Sequence, residues 1–141
     1  MKRLVILSLL TASTFASTFD AETYSTALKF AQVTHVSATQ RASGNWCFDT
    51  SVRHNDQGWD HYADRWEVID AQGNLLGFRQ LGHPHDNEQP FTRSRCQIEI
   101  PSTISTVIVR AKCNVHGFGG KPVVVELNGG QSDVYSVNRK Q

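Results

Sequence analysis

The chain has 141 residues, with 14 Lys and Arg against 13 Asp and Glu and a formal charge of +1. So even a balance offers no basic footprint for nucleic acid, and the length suits one domain that buries a real core without staples.

In chain order, the first element is a targeting segment. Lys2 and Arg3 precede an apolar run from Leu4 to Leu10 broken only by Ser8, and Thr14-Phe15-Ala16 offers a small residue for cleavage. This predicts a signal peptide over residues 1–16 and a mature domain over 17–141. The apolar run falls short of the roughly 20 residues needed to cross a bilayer, so no membrane insertion of the mature form is expected. The mature chain, without Lys2 and Arg3, carries a formal charge of about −1. It is expected to be periplasmic or secreted.

The mature part reads as strands and turns. Residues 26–37 lack a clean helical face and are predicted as strand. Trp46, Phe48, Thr50 and Val52 alternate with Cys47, Asp49, Ser51 and Arg53, the two-residue period of a half-buried strand. Residues 66–70 and 75–79 read as a hairpin around Ala71-Gln72-Gly73-Asn74, with Gly and Asn expected at positive φ. Residues 96–100 and 106–111, joined by 101–105, are expected to pair with each other. Residues 123–127 form a further strand, and the polar residues after Gly130 are expected to fray. Six or seven short strands predict an all-β fold, a single antiparallel β-sandwich with an immunoglobulin-like layout.

The histidines fall where strands end. His54 and His61 bound one connection, His83 and His85 lie in the loop 82–90, and His116 follows the strand ending near Ala111. A sandwich collects its loops at two poles, so imidazoles from different loops can reach one ion. Cys113-Asn114-Val115-His116-Gly117 adds a thiol three residues before an imidazole. Neutral imidazole suits iron, copper, zinc and nickel, and a thiolate adds a soft donor. The pattern is not a zinc finger, which needs a second Cys pair. In an oxidising compartment two of the three cysteines can pair. A Cys47–Cys96 bond leaves Cys113 free, whereas pairing of Cys113 removes the thiolate ligand; spacing leaves both open.

The segment 113–117 resembles the Cys-Asn-x-His-Gly motif of the superoxide reductases, the neelaredoxin and desulfoferrodoxin family. His61-Tyr62-Ala63-Asp64-Arg65-Trp66-Glu67 is similar to that family's His-Tyr-x-x-Trp-x-Glu stretch with one extra residue. The resemblance implies a ferrous ion in an immunoglobulin-like β-barrel, held by four equatorial histidines and an axial thiolate, with the sixth position open to superoxide. It makes His54, His61 and His116 equatorial ligands and Cys113 the axial one. His35, in Thr34-His35-Val36, is the fourth imidazole by chain order. Turnover would then require an external electron donor, which no residue identifies.

Two other readings belong to different classes. A non-catalytic periplasmic copper or zinc binder would use His54, His61, His83, His85 and His116, with Pro84 stiffening the His83–His85 pair. A metal-free interaction module would present aromatic residues such as Trp46, Trp59, Trp66, Tyr62, Phe78, Phe91 and Phe118, which otherwise read as sandwich core. Asp56, Asp60, Asp64 and Glu67 are candidate acceptors for ligand imidazoles. A Gly-x-Ser-x-Gly elbow is absent, which argues against a hydrolase of that kind.

Overall fold

Apolar alternation is realised as eight strands in a computed structural model that describes residues 23–140. They are β1 (Gln32–Gln40), β2 (Trp46–Arg53), β3 (Ala63–Ile69), β4 (Leu75–Gln80), β5 (Phe91–Ile98), β6 (Thr106–Cys113), β7 (Val123–Glu126) and β8 (Tyr135–Arg139). The expected signal peptide, residues 1–16, lies outside the described residues.

One sheet has the order β5-β2-β1-β8 and the other β4-β3-β6-β7. All pairings are antiparallel except β1 with β8. The inner faces meet in a core built from Val36, Ala38, Phe48 and Val52 on one side and Trp66, Val68, Val107, Val109 and Val125 on the other. Each large apolar side chain buried there is worth about 1.5–3 kcal/mol against exposure. The all-β sandwich read from the sequence is therefore the fold.

Several local expectations are corrected. Strand β1 begins at Gln32 rather than at residue 26, because the Gln32 side-chain amide donates to the carbonyls of Ser25, Ala27 and Phe30. That folds the preceding segment into a turn instead of a ladder. The strands β5 and β6 do not pair with each other. Ile98 and Val107 face the core from opposite sheets, and residues 101–105 carry the chain across the sandwich corner. The residues after Gly130 do not fray but fold back as β8, whose Tyr135 and Val137 pack on the core. In the β3–β4 turn only Gly73 takes a positive φ, of 86°, and Asn74 instead donates its side-chain amide to Asp70.

Register gathers the loops. Gln32 lies opposite Arg53, Val52 opposite Phe91, and Ala63 opposite Cys113. The segments 25–31, 54–62, 81–90 and 113–122 therefore share one pole. Close backbone contact seals it: a methyl group added at Gly120 would sit 1.9 Å from the Ala31 carbonyl oxygen, while one at Gly82 meets nothing within 4 Å. In denaturant titrations Gly120→Ala is expected to cost about 1–3 kcal/mol or more. Gly82→Ala should stay within about 0.5 kcal/mol.

Candidate metal centre

His54 leaves β2 and turns its ring into the protein, where it is 1% exposed. Its Nδ1 donates to Asp56 Oδ1 at 2.6 Å, and its Nε2 faces the Lys29 carbonyl oxygen at 3.1 Å. Asp56 does more than hold one ring. Its Oδ1 also accepts the Ala63 N–H at 3.0 Å, and its Oδ2 accepts the His85 N–H at 2.7 Å. Burial is the largest single influence on this carboxyl and opposes its ionisation. Hydrogen bonds from His54, His85 and Ala63, with the attraction of the His54 ring, together outweigh it and hold the group below the usual carboxylate range.

Cys113 ends β6 and is 1% exposed. The turn that follows is closed by Gly117 N–H donating to the Cys113 carbonyl at 3.1 Å, and it needs Gly117 at φ 64°, a region that favours glycine. Inside this turn the His116 N–H donates to Cys113 Sγ at 3.1 Å, and His116 Nδ1 lies 3.6 Å from the same sulfur. His61 completes the group, with Nε2 at 3.2 Å from His116 Nδ1. The Phe30 ring meets His116 edge-on, centroids 5.4 Å apart.

The ligand atoms of His54, His61 and Cys113 all lie within 4.8 Å of one another. Four-coordinate zinc with bonds of about 2.0–2.3 Å separates neighbouring nitrogens by roughly 3.4 Å and nitrogen from sulfur by roughly 3.6 Å. The 3.2 and 3.6 Å contacts of His116 are of that size. The cluster of His54, His61 and Cys113 could hold a metal ion, and His116 touches two of its members without being one of the three grouped donors. Cys113 is free to act as a ligand because the disulfide joins Cys47 to Cys96, between β2 and β5.

The other expected ligands sit elsewhere. His35 lies on β1 opposite Ser51 and is outside the grouped atoms. His83 and His85 occupy a separate loop with rings 4.5 Å apart, and His85 stacks flat on Phe91 at 3.8 Å. Both ring nitrogens of His85 are buried without a hydrogen-bond partner. Burial, followed by Arg93 and His83, pushes this imidazole below its ordinary value against Asp56 and Glu88. Of the four acidic residues near the first histidines, Asp56 alone hydrogen-bonds a grouped ring; Asp64 pairs with Lys112 and Glu67 with Arg65 and Arg110. Trp46, Trp66 and Phe91 are core, whereas Trp59 is 65% exposed and meets Tyr62 beside the site.

Sequence reading missed two contributors. Asn114 accepts the Tyr62 N–H, donates its side-chain amide to the carbonyls of Trp59 and Asp60, and donates its own N–H to the Tyr62 carbonyl. It clasps the His61 loop to the Cys113 turn. The Lys29 carbonyl was equally invisible, since a main-chain atom has no signature in residue identity. An Asn directly after the cysteine was the one available signal for the clasp.

No known family's profile matches the chain, and no solved structure matches it. A Halomicrobium mukohataei protein named "Putative lipoprotein" is 38% identical over 111 residues, which make up 77% of this chain and 54% of that protein. The chain thus spans about half the length of this relative.

Asp56→Asn should lower the cluster's affinity for added metal by about 10–100-fold, measured by chelator competition, because it replaces the charged acceptor that orients the His54 ring with a neutral amide. Stability should also fall with pH in two stages. Below about pH 6.5 the unfolded chain protonates His85 while the folded state resists it. Below about pH 4 the unfolded chain protonates Asp56 and Asp70 before the folded state does; Asp70 is held low by the Asn74 side chain, against burial, and by turn N–H groups. Denaturant unfolding across this range checks both stages, and His85→Leu should flatten only the upper one.

Proposed function

We propose that the chain is an exported metalloprotein that binds one transition-metal ion through His54, His61, His116 and Cys113. The observation that carries this reading is the meeting of His54, His61 and Cys113 ligand atoms within 4.8 Å, although the chain separates the first and last by 59 positions. A thiol and imidazoles so placed match the donors preferred by borderline metals.

Export is supported by the leader pattern over residues 1–16, by the Cys47–Cys96 disulfide, which needs an oxidising compartment, and by the lipoprotein name of the relative. The mature domain, 17–141, is read as an immunoglobulin-like sandwich in the periplasm or outside the cell. Its outward loops carry the site.

The superoxide reductase-like version of this reading places iron at the site. Its support is the turn Cys113–Gly117, which wraps the thiol and sets His116 beside it. Held by His54, His61, His116 and Cys113, a ferrous ion would supply one-electron reducing chemistry toward superoxide, and turnover would need an external electron donor. On this chain Cys113 would be the electron-rich ligand, its sulfur steadied by the His116 N–H, while Asp56 keeps His54 in the ligating orientation. The copper version draws on a different observation: two imidazoles and one thiolate, His54, His61 and Cys113, are the donor set of copper electron-transfer sites.

Protein purified from the exported fraction is expected to contain about one metal ion per chain. A thiolate-to-metal absorption band should disappear in Cys113→Ser, and chelator competition should register a loss of more than about 100-fold in His61→Ala. Iron with superoxide-dependent oxidation supports the reductase version, and copper supports the second. Metal-free protein whose melting is unchanged by added iron, copper or zinc would leave the interaction module in its place.

A further inference from the structure

We propose that the main-chain carbonyl oxygen of Lys29 is itself a ligand of the bound ion, supplying an oxygen where the family resemblance calls for a fourth imidazole. This deepens the metal-binding reading above and rests on it.

The carbonyl is aimed at two ligand groups at once. It lies 3.1 Å from His54 Nε2 and 3.6 Å from Cys113 Sγ, and a carbonyl oxygen offers only lone pairs. An ion that takes Nε2 and Sγ as ligands therefore has this oxygen as an immediate neighbour. The spacings agree with shared coordination, since metal bonds of about 2.1 Å to nitrogen and oxygen and about 2.3 Å to sulfur place neighbouring N and O roughly 3.4 Å apart and S and O roughly 3.6 Å apart.

The oxygen is also held in place before any ion arrives. Gln32 Nε2 donates to the carbonyls on either side of it, those of Ala27 and Phe30, and the Phe30 N–H donates to Ala27. The Asn55 N–H donates to the Leu28 carbonyl at 3.0 Å, which ties this segment to the residue after His54. Gln32 in turn accepts the Lys121 N–H, so the segment is anchored to the loop that follows His116. His35, the fourth imidazole by chain order, lies farther along β1 and is not among the grouped donors. With His116, which contacts His61 and Cys113, the resulting set is three imidazoles, one thiolate and one neutral oxygen. A hard oxygen beside a soft sulfur favours divalent ions over cuprous copper.

Zinc is the probe, because it reports coordination without oxidising Cys113. Phenylalanine follows lysine only at Lys29-Phe30, so protein labelled with carbonyl-13C lysine and 15N phenylalanine gives one coupled carbonyl signal. That signal is expected to be replaced by a shifted one that saturates at one zinc per chain. A crystal structure of the zinc-loaded protein is expected to place Lys29 O about 2.0–2.2 Å from the ion. Zinc bound by the side chains with Lys29 O beyond about 3 Å, a hydrogen-bonding distance at best, and with the carbonyl signal unmoved, overturns the proposal and leaves the metal site standing. Failure to retain zinc at all overturns the site and the carbonyl ligand together.

Discussion

A carboxylate buried where three loops meet is the constraint on which the His/Cys pole depends. Asp56 accepts from the His54 ring, the Ala63 N–H and the His85 N–H, so the end of β2, the start of β3 and the 81–90 loop are joined through two oxygen atoms. A buried anion without such donors would be costly; with them it becomes an anchor. The His54 ring has one nitrogen committed to Asp56 and the other turned toward Cys113 and Lys29. Orientation of the ring is thus settled by a residue that is not itself one of the grouped donors.

Strand pairing supplies the second half of the arrangement. The Ala63–Cys113 register brings the residue after Tyr62 beside the thiol, and Asn114 then closes the remaining gap with its bonds to residues 59–62. His61 and His116 become neighbours because their two loops are fastened to each other. The donor groups themselves need make no contact for this to happen. Such a division of labour, with ladder hydrogen bonds setting distance and side-chain clasps setting angle, gives a preorganised pole on a scaffold whose core lies elsewhere.

The second histidine pair illustrates how much surroundings decide. His83 and His85 read in sequence as a chelating pair on a rigid hinge, yet His85 spends its ring face on Phe91 and keeps both nitrogens buried. That ring behaves as a piece of core. His35 was legible only as an imidazole at the right place in the order, and the bulge between Val33 and His35 shifts the side-chain alternation of β1 there.

Residue identity and spacing alone determined the all-β class, most strand positions, the Cys113 to His116 unit and the histidines that bracket the β2–β3 connection. These are local properties: a two-residue apolar period and a three-residue separation are written in neighbouring positions. Only the tertiary structure decided that β5 and β6 part to opposite sheets, that the polar C-terminal residues become β8, that Cys47 pairs with Cys96, and that Lys29 offers a carbonyl to His54 and Cys113. Each of those outcomes depends on contacts between residues far apart in the chain, where packing and hydrogen-bond satisfaction choose among partners that local sequence leaves equivalent.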